Sequence, residues 1–405
     1  MTEIRPLNGY DYPLSFVCIS LSDTFDKFDF ELFKKEVIKE IVKYSPFHLD
    51  IRMKDGHPFW YKFDDNWLFE NSDIFVVKIP FKETGEVEPA KYDLHKEGTP
   101  LFCIEYSEND VVSRVKLYAN HAICDGRTIA NLYQIIKNAI PNEFHMDFND
   151  EELYDYDYRT LYKIEDKLLE TNPKCWDIPK VAAVPPITDK CEYINMYNSF
   201  DCQKVISFCK KNKIGVQALL MASQERATRR FMKFDNSEEI SVYCPSDTRI
   251  SKYADDKLKH RNFYCAAGAN FPSIVGKENL MEDIKECNYK IREAMKTTDC
   301  CVQVLMSFKQ IDEKTLVFTP IKNAPDLSKM RIITCSNIGL YDHMNDPYLG
   351  VLCPCDVNSF SVVLYSWHSK NHFHTLFFFP EKLNKDFVTE MKHELENVMK
   401  FVCEN

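Results

Sequence analysis

The sequence predicts an α/β protein in which mixed sheets and helices build two halves. Residues 113–120 alternate, with Val115, Leu117 and Ala119 on one face and Arg114, Lys116 and Tyr118 on the other, the period of a half-buried strand. Directly afterwards Ile129, Leu132, Tyr133, Ile136 and Ile140 recur at helical spacing. A similar mixture of strands and helices returns beyond a stretch punctuated by Pro173, Pro179, Pro185 and Pro186. Those prolines mark a linker over 173–190 between an N-terminal half, 1–172, and a C-terminal half, 191–405. A chain of 405 residues has room for about two or three core-forming units.

In the first half a short strand is expected over 15–21, then a helix from Phe30 to about Tyr44 with Leu32, Phe33, Val37, Ile41 and Val42 on its apolar side. Aromatic-rich strands follow around 59–63 and 74–79. A hairpin joins 101–106 to 112–120 through Ser107-Glu108-Asn109-Asp110. The acidic, tyrosine-rich segment 147–169 has no glycine and reads as containing a helix that crosses to the second half. There Asp201 caps a helix over 203–211, and 216–234 forms a long helix, apolar at its start and basic at its end (Arg226, Arg229, Arg230, Lys233). Strands are expected over 240–244, 263–271, 331–335, 360–367 and 373–379, and an amphipathic helix over 384–401. No low-complexity tract or short repeat interrupts this order.

Composition excludes several classes. Lys plus Arg number 51 against 62 acidic residues, a net charge of −11, so there is no electrostatic footprint for a nucleic acid or an anionic bilayer. No apolar run reaches the roughly 18 residues of a membrane span, and Met1-Thr-Glu-Ile-Arg-Pro-Leu lacks the apolar core of a signal peptide. The expected location is the cytoplasm, and the sixteen cysteines are then expected to be reduced and buried as small apolar residues. Cys353-Pro-Cys355, followed by His368, His372 and His374, comes nearest to a zinc-ligand pattern. The preferred reading is a hairpin, with strands over 358–367 and 373–379 and a polar turn at 368–372. No residue is assigned as a metal ligand.

Chemistry concentrates in Asn120-His121-Ala122-Ile123-Cys124-Asp125-Gly126, where the strand gives way to the helix. A histidine at a strand end is held by the scaffold yet sits at its edge, and imidazole titrates close to neutral pH. His121 is therefore the candidate general base. Gly126 is one of only ten glycines, which marks a backbone requirement. Cys124 invites a thiol-nucleophile reading, but a reactive cysteine needs an accessible, electropositive setting. It is read instead as a buried filler. Asp125 has two readings, a partner that orients His121 or a structural carboxylate turned into the fold. The structural one is preferred, and burying that charge would require a cation.

The run from His121 to Gly126 resembles the His-x-x-x-Asp-Gly signature of the chloramphenicol-acetyltransferase-like superfamily, which includes plant-type and polyketide-associated acyltransferases and peptide-synthetase condensation domains. Further segments resemble that family in order. They are Pro46-Phe47-His48-Leu49, Tyr92-Asp93-Leu94 with Thr99-Pro100-Leu101-Phe102, Pro245-Ser246-Asp247-Thr248-Arg249, and Ser336-Asn337-Ile338-Gly339. The resemblance implies two lobes forming a pseudo-dimer around a tunnel. It also implies an acyltransferase with acyl-CoA as co-substrate, no permanently bound cofactor, and a small alcohol or amine as acceptor. No nucleic acid or membrane span is involved, and a monomer is expected. It makes Arg249 the cation that braces Asp125 in a bidentate pair, and Ser336 and Asn337 oxyanion donors or tunnel wall.

The chain also departs from the family. Ser45 replaces a histidine before Pro46, and Asn120 stands where condensation domains and chloramphenicol enzymes carry a second histidine. The plant-type DFGWG segment is missing, and Asp346-Pro347-Tyr348-Leu349-Gly350 occupies its region. The alternatives are a condensation-type enzyme fed by a carrier protein and a catalytically silent protein that keeps the tunnel.

Overall fold

The computed structural model describes residues 1–82, 96–151, 160–164, 184–185, 193–263, 265–297, 299–308, 333–341, 343–352 and 362–405. In chain order the strands are β1 (Thr2–Pro6), β2 (Cys18–Asp26), β3 (Leu49–Lys54), β4 (His57–Lys62), β5 (Val76–Lys78), β6 (Phe102–Glu108), β7 (Val112–Asn120), β8 (Tyr193–Asp201), β9 (Ile240–Asp247) and β10 (Ala267–Asn270). They continue with β11 (Ser273–Ile274), β12 (Ile333–Leu340), β13 (Tyr348–Leu352), β14 (Val362–His368) and β15 (His372–Pro380).

The alternation of β7 dictates its place. Val115, Leu117 and Ala119 are fully buried under the helix Thr128–Lys137, whose Tyr133 hydroxyl donates to the Val115 carbonyl at 2.8 Å. On the other face Tyr118 packs against Cys18 and Cys103, so this end of the strand is covered on both sides. β7 lies between β2 and β6 in a five-stranded sheet ordered β13-β2-β7-β6-β5, and β1, β4 and β3 form a separate three-stranded sheet. The second large sheet runs β10-β9-β12-β14-β15-β8, with β11 also on β9. β13 belongs by sequence to the second half, yet it pairs antiparallel with β2 of the first, Tyr348 opposite Ser22 through Leu352 opposite Cys18.

Two cores result. Helices Cys202–Asn212, Val216–Met232 and Lys385–Glu404 cover one face of the second sheet, burying Phe373, Phe377 and Phe379 from β15. The intervening Leu376 and Phe378 point the other way, into a core shared with the first half that also takes Trp367, Cys265 and Ala266. Burial on both faces explains why β15 reads as an almost continuous apolar run. Side-chain caps start the helices, with Asp29, Asp201 and Asn384 each accepting from backbone N–H groups of the first turn. At its basic end the Val216–Met232 helix buries Arg229, which donates to the carbonyls of Asp235, Glu238 and Ile274.

Several sequence expectations shift. A strand not expected from the sequence, Thr2–Pro6, comes first, and the strand expected over 15–21 is Cys18–Asp26. The helix begun at Phe30 ends at Ile41, and Leu32 lies on its exposed side. Among the described residues of the strand expected over 263–271, only Ala267–Asn270 form a strand. Phe263 is instead drawn into an aromatic cluster with Tyr44 and Phe148 of the first half. His368 and His372 are strand ends, and residues 369–371 make the turn. The linker at 173–190, the helix within 147–169, Tyr92-Asp93-Leu94 and Cys353-Pro-Cys355 lie wholly or mostly outside the described residues. The twelve cysteines among the described residues are free, and all but Cys403 are buried. Among the described residues no helix is long and apolar enough to cross a membrane.

Candidate active site

Asn120 ends β7 and builds the turn that follows. Its Nδ2 donates to the Ser15 carbonyl at 2.8 Å, and its Oδ1 accepts from the Ala122 N–H at 2.9 Å. The His121 N–H donates to the Val17 carbonyl at 2.7 Å, so the backbone on both sides of the imidazole is fixed. Asn120 is fully buried and therefore structural in this position.

The His121 side chain is half-buried. Its Nδ1 lies 3.7 Å from Cys265 Sγ, and that sulfur is 3.5 Å from the Tyr10 hydroxyl, which donates to the Ala267 carbonyl. Burial pulls the His121 pKa below the usual 6.5, outweighing the upward pull of backbone hydrogen bonds at His121 and Cys124 and of the Asp125 charge. The ring is then neutral at pH 7 and able to accept a proton.

Asp125 makes no described hydrogen bond to that ring. Its Oδ1 accepts from the backbone N–H groups of Arg127 and Thr128 and from the Thr128 hydroxyl, and its Oδ2 accepts from Ala266 N–H. Arg249 Nη2 donates to the same Oδ2 at 2.7 Å. The expected fork is not formed, because Arg249 Nε turns to Asp247 Oδ1, also at 2.7 Å. Asp247 in turn receives Arg127 Nη1, which closes a chain of four alternating charges. Burial alone would raise the Asp125 carboxyl, but Arg249 and the N–H donors hold it below its ordinary value. Both members of the central pair are about 5% exposed, so this is a buried ion pair.

Gly126 has a second purpose. A Cβ there would stand 3.0–3.3 Å from three carbons of Ile338 on β12, and its carbonyl accepts from the Tyr341 hydroxyl at 2.6 Å. β12 continues through Ser336 and Asn337 to Leu340, so these two residues lie within a strand and not in the turn expected after one. The register against β14 slips between Asn337 and Gly339, where Gly339 adopts φ +104°, an irregularity that only glycine accommodates readily. Gln217 spans the kink, donating to the Cys335 carbonyl and accepting from the Asn337 N–H. Ser366 Oγ donates to Asn337 Oδ1. No described hydrogen bond joins Ser336 or Asn337 to His121.

Cys124 is fully buried, its thiol directed at the Asn120 carbonyl, and burial raises its pKa well above the ordinary thiol value. Sequence reasoning missed Cys265, Tyr341 and the Asp247–Arg127 link. Of these, only Asp247 carried a local signal, being part of the same Pro-x-Asp-x-Arg segment as Arg249.

No protein-family model matches the chain, and no curated protein sequence matches it. Solved structures do. The epimerization domain from the third module of tyrocidine synthetase B superposes with a TM-score of 0.69 at 11% identity, over 96% of this chain and 92% of that one. The TRI3 trichothecene 15-O-acetyltransferase of Fusarium sporotrichioides gives 0.69 at 9% identity, covering 99% and 95%. The starter condensation domain of rhizomide synthetase RzmA gives 0.67 at 9% identity, covering 98% and 94%. The chain has the two-lobed chloramphenicol-acetyltransferase-like fold. The His121 turn and its ion pair bring residues 120–127 together with 247–249 and 265–267, far apart in the sequence. In the chloramphenicol-acetyltransferase-like frame of this chain, the second lobe lends β13 to the first sheet.

Proposed function

We propose that the chain transfers an acyl group from acyl-CoA to the hydroxyl or amine of a small molecule, with His121 as general base in a ternary complex. The observation that carries this is a neutral, half-buried imidazole fixed at a strand end, beside a carboxylate already committed to Arg249. Such a histidine is free to take a proton and is not tied up as one half of an ion pair.

Acceptor and donor would meet at His121 from the two mouths of a tunnel between the lobes. The ring removes the acceptor proton as its oxygen or nitrogen attacks the thioester carbon. The tetrahedral intermediate then collapses, the C–S bond breaks, and the imidazolium returns the proton to the departing thiolate. Asn337 is exposed and turned toward Ser366, so the half-buried Ser336 hydroxyl is the better candidate oxyanion donor. That the rhizomide domain of the same fold is seen with C8-CoA supports a CoA thioester as donor. The test is thiol release from a panel of acyl-CoA donors with pooled alcohols and amines, run beside His121→Ala. Turnover that survives the substitution would sink the assignment.

A further inference from the structure

We propose that Asp346, His372 and His374 form a binding site for a divalent transition-metal ion, zinc by chemistry, which fastens the β12–β13 connection to the β14–β15 hairpin. His372 and His374 stand two apart on β15 and so face the same side of the sheet. Asp346, just before β13, places Oδ1 3.1 Å from His372 Nδ1 and 3.2 Å from His374 Nε2, and the three atoms lie within 4.8 Å of one another. A tetrahedral zinc ion held at about 2.0–2.1 Å needs neighbouring ligand atoms only about 3.3 Å apart, so two of the three edges already have the required length.

A separate observation points to a ligand. His374 is 97% buried, and its Nε2 makes no hydrogen bond, although Asp346 Oδ1 lies 3.2 Å away. A buried imidazole nitrogen left unpaired is costly, and a metal is the partner that uses its lone pair. The surroundings hold the ligands in place. Asp23 accepts from the N–H groups of Asn345 and Asp346 at 2.8 and 2.9 Å, and Trp367 stacks on the His374 ring at 14° while its Nε1 donates to the Pro347 carbonyl. The side chains of His372 and Asp346 are 50% and 40% exposed, which gives an ion a way in and leaves a fourth position to water. Imidazole and carboxylate together select zinc or its d-block neighbours over calcium or magnesium. The comparable trio Glu390, His393 and Glu394 differs, because Arg226 and Arg230 already engage its carboxylates.

The experiment strips the full chain with a chelator and titrates it with Co²⁺, then with Zn²⁺. The expected result is a single equivalent of Co²⁺ with ligand-field bands and no thiolate charge-transfer band, displaced by Zn²⁺, which also raises the thermal midpoint by several degrees. His372→Ala and Asp346→Asn alter half-exposed side chains, and their metal-free melting should match wild type. Loss of an outer-shell partner typically costs 10–100-fold in metal affinity, so loss of a ligand should weaken binding by about a hundredfold or more. Absence of stoichiometric Co²⁺ in the wild type would overturn the proposal. So would affinity within about threefold of wild type in both variants, or a spectrum dominated by thiolate charge transfer.

Discussion

Arg249 Nη2 sits 2.7 Å from Asp125 Oδ2 while the same guanidinium holds Asp247 of its own segment through Nε, so one buried arginine ties a neighbouring carboxylate to the distant one in the His121 turn. This arrangement is asymmetric. Removing Asp125 leaves Arg249 one partner, whereas removing Arg249 strands Asp125 among groups that cannot neutralise it. Arg249→Met is therefore expected to cost about 3–5 kcal/mol, and Asp125→Asn less. The double variant should cost less than the sum of the singles in a denaturant cycle. Strict additivity would mean that the pair is not coupled.

The same pair sets an acid limit. Asp125 is held below its ordinary pKa, so its stabilisation is complete above the unfolded carboxyl value of about 4 and disappears as pH falls through the depressed folded value. Without Arg249 that depression is lost, and the acid unfolding midpoint of Arg249→Met should move to higher pH than in wild type. An unchanged midpoint would show that another group governs acid unfolding.

His121→Ala should lower kcat/KM by about 10²–10⁴ while the thermal midpoint stays close to wild type, because the ring is only half-buried. Protonated His121 cannot act as base. Since its pKa is drawn below 6.5, kcat/KM should climb with pH through that lowered value and be flat at pH 7 and above. An ascending limb centred above pH 7 would assign the base to another group.

Neither neighbouring thiol is set up as a nucleophile. Burial pushes Cys265 up to about 12 and Cys124 well above the ordinary value, so both stay protonated at neutral pH. Cys124→Ala and Cys265→Ser should retain most activity, and initial-rate plots should intersect. Parallel lines, or an acylated cysteine chased into product by the acceptor, would replace the ternary complex with a covalent route.

Gly126→Ala should destabilise by about 1–3 kcal/mol, since the new methyl would stand 3.0–3.3 Å from three carbons of the branched Ile338 side chain, which must shift to admit it. Turnover should fall as well, because the His121 turn rests on this contact. Adding Ile338→Ala should recover much of the loss. A double variant no better than the single would locate the strain elsewhere.

The strand-to-helix step around His121 was legible because β7 and the Thr128–Lys137 helix each carry a clean period and the turn between them is short. The link from Asp125 to Arg249 entered through a family resemblance, since nothing in the spacing of residues 125 and 249 requires contact. Cys265 was illegible for a physical reason. It sits where the expected strand over 263–271 is broken, and its position beside His121 depends on Phe263 being drawn to Tyr44 and Phe148. The bulge at Gly339 likewise hides the contact of Ile338 with Gly126 of the His121 turn. His372 and His374 were visible as a pair, but Asp346 reaches them only because β13 leaves its own half.

That departure has a consequence for synthesis. β2, nine residues long and almost entirely buried, has β7 on one side and waits for Tyr348–Leu352 on the other, more than three hundred residues downstream. Until that segment leaves the ribosome, the nascent N-terminal half presents a naked strand edge of the kind that recruits foreign strands. A chain stopped short of Tyr348 should therefore clump or engage chaperones, and supplying the missing five residues as a separate peptide should relieve it.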